Sequence, residues 1–136
     1  MKKRCLMASI AAFVTLFVAE FVLHGICLKD LYHQYAALWR PEAEMQKLMW
    51  LMWVGYLIFS PVFVYIYSKG YEAGKSGLGQ GLRFGLAIGL LMAPMSALGW
   101  YAVLPIPAIL SAYWLVGGLA EFIVVGAVVG LVWKPE

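Results

Sequence analysis

Residues 6–28, Leu6-Met7-Ala8-Ser9-Ile10-Ala11-Ala12-Phe13-Val14-Thr15-Leu16-Phe17-Val18-Ala19-Glu20-Phe21-Val22-Leu23-His24-Gly25-Ile26-Cys27-Leu28, decide the class of this protein. A hydrocarbon core of roughly 30 Å needs about 20 mostly apolar residues at 1.5 Å each, and this run is long enough. Lys2, Lys3 and Arg4 precede it, as expected at a cytoplasmic membrane face. The run continues past the place where a leader would be cut, which reads Phe17-Val18-Ala19-Glu20, with a bulky Phe where a small residue is wanted. The segment is therefore read as a retained first span.

Three more apolar stretches follow, at about 48–68, 82–101 and 109–133. The 136 residues are 64% hydrophobic and 12% charged. Soluble domains run near about 45–50% and 25%, so both figures point to a membrane. The expected fold is one all-α domain over 1–136, an antiparallel bundle of four transmembrane helices. Pro61 in the second span and Pro94 in the third should bend their helices. Lys2, Lys3, Arg4, Lys69, Lys75, Arg83 and Lys134 fall inside and Lys29, Arg40 and Lys47 outside if the N-terminus is cytoplasmic. Seven against three favours N-in and C-in, in a bacterial-type inner membrane. Of the inner set, Lys2, Lys3, Arg4, Lys69, Lys75 and Arg83 would meet lipid headgroups.

The first outer connection, Lys29–Pro41, places Leu31, Tyr35 and Leu38 at helical spacing among Tyr32 and Trp39, so a short interfacial helix is expected there. The inner connection, Lys69–Gln80, is rich in glycine and contains Gly70-Tyr71-Glu72-Ala73-Gly74-Lys75-Ser76. A phosphate-binding loop needs one more residue between its glycines, and a strand before it. Nucleotide is therefore not an expected ligand, and no basic, aromatic-interleaved soluble segment invites nucleic acid.

Glu20 and Glu121 lie within spans, where a carboxylate costs about 2.5–3.5 kcal/mol at the centre. Both should face the interior. His24 lies one turn from Glu20, on the face that Phe13 and Phe17 continue. By helical rise, Glu20 sits about 22 Å above the inner face and Glu121 about 10 Å above it. Glu121, Glu20 and His24 would thus form steps of a proton or ion pathway if their helices are adjacent, with direct contact neither required nor excluded. Four spans in a short chain with an acid in the first resembles the small multidrug-resistance exporters in plan. That resemblance implies a membrane acid coupled to protons, although the connections here are longer.

Small residues recur at Gly77, Gly81, Gly85, Gly89, Ala93 and Ala97, four apart. Such a face lets another helix approach closely, best for Gly85, Gly89, Ala93 and Ala97, as do Gly117, Gly118, Gly126 and Gly130 in the last span. Cys5 and Cys27 sit at opposite ends of one helix and cannot pair. Met45, Met49 and Met52 share a face suited to lipid or packing. His33, nine residues from His24, offers no readable ligand pattern with it. No metal or other cofactor is expected, and no zinc-protease or nucleophile-elbow motif marks an enzyme. The leading expectation is a homo-oligomeric proton- or cation-coupled transporter. The alternative is a non-catalytic accessory subunit or assembly factor, joined to a larger membrane complex through the glycine face.

Overall fold

The structure is a computed structural model that describes residues 2–133, with the side chain of Lys2 and all of Lys134 outside the described residues. The described residues are all helical or connecting, and four of the helices are long and apolar enough to cross a membrane. Helix α1 spans Lys2–Glu20 and passes into a π-helical turn, Phe21–Cys27. A short α2, Lys29–Gln34, and a 3₁₀ turn, Ala36–Leu38, complete the first connection. Then come α3, Glu42–Gly70, α4, Gly77–Val103, and α5, Ala108–Val132.

Two helices begin earlier than the apolar runs suggest, for local reasons. At α3, Pro41 precedes the first turn and Glu42 and Glu44 lie beside its positive dipole end. That turn is too polar to register as span, yet it is well suited to start a helix. At α4, the Ser76 hydroxyl accepts from the Gly79 N–H at 3.3 Å. Gly77 and Gly81 therefore belong to the helix, and the glycine-rich connection shrinks to 71–76. α3 and α4 continue through Pro61 and Pro94. Ahead of Pro61, the Ser60 hydroxyl donates to the Tyr56 carbonyl at 2.7 Å.

Helix α1 packs against α3 and α5, and α5 packs most extensively against α4. One buried cluster joins Ala8, Ala12 and Leu16 of α1 with Phe63, Val64 and Tyr67 of α3, and with Val125, Val129 and Trp133. Small side chains on α1 leave room for the rings of α3. Phe63 and Phe84 meet edge-on at 4.6 Å between centroids, and Phe59 and Phe122 meet tilted at 5.6 Å. A smaller cluster at the other end joins Leu28, Ile106 and Leu110, with Tyr32, Trp39 and Trp114 against it.

The α4–α5 contact is tight because neither backbone carries side chains there. A Cβ on Gly81 would stand 2.1 Å from the Gly126 carbonyl oxygen, and one on Gly130 2.1 Å from that of Gly77. Gly85 faces the Phe122 carbonyl in the same way, at 2.3 Å. Gly81, Gly85, Gly89, Ala93 and Ala97 are buried. The Ser111 hydroxyl adds a buried cross-helix bond to the Ala97 carbonyl, 3.0 Å long.

Candidate functional site

Between the two apolar clusters lies a polar centre built from α1, α5 and the first connection. Glu20 ends α1 and His24 sits in the π turn, with His24 Nε2 3.3 Å from Glu20 Oε2. Glu121 projects from the middle of α5. One donor atom each from Glu20, His24 and Glu121 lie within 4.8 Å of one another. The stepped arrangement expected from helical rise is therefore corrected: the three groups share one level. Ala8 and Trp133 occupy the same cluster, and each lies twelve residues from its acid. The register between α1 and α5 sets the level, and counting from each span's end ignores it.

The centre is held by hydroxyls and an indole. Trp114 Nε1 donates to the Tyr32 hydroxyl at 2.8 Å, and that hydroxyl hydrogen-bonds His24 Nδ1. The Tyr32 and His24 rings stack, 12° from coplanar. Trp39 closes the group by donating its Nε1 to the Tyr32 carbonyl at 3.2 Å. On the other side Tyr56 lies beside Glu20. Burial pushes the Tyr32 hydroxyl up to about 12, outweighing the Trp114 bond that favours its anion, so Tyr32 stays protonated near neutral pH.

Glu121 is 9% exposed, and its Oε1 is buried without a hydrogen-bond partner among the described residues. No lysine or arginine among the described residues pairs with Glu20 or Glu121. Two carboxyl groups thus come together without a lysine or arginine partner among the described residues. They border a cavity of about 490 Å³, walled otherwise by Trp39, Trp100, Trp114 and Phe122. Glu121 also borders a second, more apolar groove of about 530 Å³ between α1 and α5. Gly117 lets the Leu23 side chain pack close to α5, since a Cβ there would stand 2.5 Å from it.

Sequence reading missed Tyr32, Tyr56 and Trp114. Trp114 lies seven residues before Glu121, hence on the same face of α5, a signal that spacing could have supplied. Tyr56, a phenol in mid-span, also wanted a partner. Tyr32 gave no such sign, because its bonds depend on how the first connection folds back over the helix ends.

Other residues singled out in the sequence lie away from this centre. His33 is exposed and outside the three-residue cluster. Met45, Met49 and Met52 are exposed, and both cysteines are free. Lys3, Lys69, Lys75 and Arg83 are exposed and Arg4 is half-buried. Lys75 pairs with Glu72 and holds its carboxyl below the usual range, while Lys69 stands 4.9 Å over the Tyr65 ring. The Gly70–Ser76 segment has no strand before it: Gly70 ends α3, and the Gln80 amide ties the backbone of Glu72 and Lys75. Comparison of the chain with protein-family models, curated proteins and solved structures finds no match.

Proposed function

We propose that this chain is a small multi-pass membrane protein that takes up a cation, in the simplest case a proton, at Glu20, His24 and Glu121 and couples it to transport. Its four long helices cross the bilayer as an antiparallel bundle, N-in and C-in, in a bacterial-type inner membrane. The basic residues at the inner end, from Lys2, Lys3 and Arg4 to Lys69, Lys75 and Arg83, then face lipid headgroups.

One observation carries this reading: the Glu20 carboxyl and the His24 imidazole of one helix converge with the Glu121 carboxyl of another, where no lysine or arginine among the described residues pairs with them. Acids in a span are costly, and a pair of them costs most when both are ionised and bare. Positive charge entering the centre removes that cost, so occupancy and conformation are linked. Glu121, bordering both hollows, is placed to exchange its ligand with either.

The test is reconstitution of the full chain in liposomes with an internal pH-sensitive dye. Under an imposed proton or cation gradient, wild-type protein should carry flux and Glu20→Gln should abolish it without loss of insertion. Equal flux in that variant refutes the proposal. The accessory-subunit reading would use a face other than Gly81, Gly85 and Gly89, which are buried against α5 within the chain.

A further inference from the structure

Resting on the reading of this centre as a cation site, we infer that Glu20, His24 and Glu121 bind a divalent transition-metal ion of the zinc, cobalt and manganese class. The spacing supports it first. Two ligands about 2.0–2.1 Å from one tetrahedral metal stand roughly 3.3 Å apart. His24 Nε2 and Glu20 Oε2 are already 3.3 Å apart. The Glu121 donor lies within 4.8 Å of both, so a modest side-chain rotation brings it to the same centre.

The supporting groups match what a ligating histidine and carboxylate need. A metal-bound imidazole uses its other nitrogen for a hydrogen bond that fixes ring and tautomer. Here His24 Nδ1 meets the Tyr32 hydroxyl, itself fixed by Trp114, which leaves Nε2 for the ion. When Nδ1 carries the proton it donates to the Tyr32 oxygen, and Nε2 presents its lone pair. An independent sign is Glu121 Oε1, buried, unpartnered among the described residues, and at the cavity wall. A buried carboxylate oxygen without a donor is costly, and a cation satisfies it.

Charge and donor type narrow the ligand. Two carboxylates and a neutral imidazole sum to two negative charges, which one divalent ion cancels. One nitrogen and two oxygens, with no thiolate in the cluster, suit borderline divalent ions and disfavour Cu(I). The imidazole disfavours calcium and magnesium, which take oxygen ligands. The cavity of about 490 Å³ leaves space for water or a further ligand to complete the coordination.

The experiment is a Co²⁺ titration of the full chain in nanodiscs, after chelator treatment, followed by visible absorption and then by Zn²⁺ displacement. One Co²⁺ per chain is expected, displaced by Zn²⁺. His24→Gln and Glu121→Gln should each weaken binding at least tenfold, and Tyr32→Phe by about tenfold through the imidazole. Absence of saturable binding, or unchanged binding in both ligand variants, overturns the inference. Should either ligand variant fail to fold, zinc-edge X-ray absorption of the wild-type protein decides. Scattering from one imidazole with oxygen neighbours supports the site, and sulfur neighbours or no imidazole overturns it. Proton-driven flux without metal binding would sink this inference alone. Metal binding without any flux would sink the transport reading alone.

Discussion

Replacing Gly81 by Ala tests the α4–α5 contact that holds Glu121 in place. The new methyl carbon would stand 2.1 Å from the Gly126 carbonyl oxygen, 2.9 Å from its carbon and 3.0 Å from the Gly130 Cα. An ordinary carbon–oxygen contact is about 3.3 Å, so the two backbones must part by roughly 1 Å. The obstacle is backbone, which cannot rotate away as a side chain tip could. Overpacking of this kind costs about 1–3 kcal/mol, while Ala returns about 1 kcal/mol of helix propensity over Gly. Gly55→Ala is the matched control, because a Cβ there meets nothing within 4 Å. It gains the propensity without the clash. The two variants should therefore differ by about 2 kcal/mol, roughly thirtyfold in the unfolding equilibrium. Unfolding by dodecyl sulfate in mixed micelles, followed by circular dichroism, measures the gap. Equal stability of Gly81→Ala and Gly55→Ala would refute the close approach.

Three further outcomes follow from single contacts. Ser111→Ala removes the buried bond to the Ala97 carbonyl and should cost about 1 kcal/mol in the same unfolding assay. Gln80→Ala frees the 71–76 connection from its amide ties, so limited proteolysis there should accelerate while the helices' circular dichroism is unchanged. For Glu72, the Lys75 partner lowers the folded value, so its contribution is present at neutral pH and lost as pH falls through that lowered range. The pair is exposed, so Glu72→Gln should leave stability at pH 7 unchanged within error, and a clear loss would contradict this.

The four apolar helices were legible because a run such as Leu6–Leu28 has few readings. Their ends were not, where polar first turns such as Glu42-Ala43-Glu44 and Gly77-Leu78-Gly79-Gln80 start helices through capping rather than hydropathy. Glu20 and His24 were legible as a pair, since four residues make one turn. Their meeting with Glu121 was not, because it depends on the relative sliding of α1 and α5, and apolar composition leaves sliding open. The π turn was equally hidden: Phe21–Cys27 reads as ordinary span, and nothing in its composition marks the change of hydrogen-bond register.

The most direct measurement asks whether Glu20 and Glu121 meet within one chain. In a Cys5→Ser, Cys27→Ser background, Glu20→Cys and Glu121→Cys are introduced together and treated in membranes with a short bifunctional thiol-reactive cross-linker, a bis-methanethiosulfonate. Mass spectrometry should find an intramolecular bridge between positions 20 and 121, and none in either single-cysteine variant. Absence of the 20–121 bridge, with both thiols shown to react singly, would contradict the shared centre.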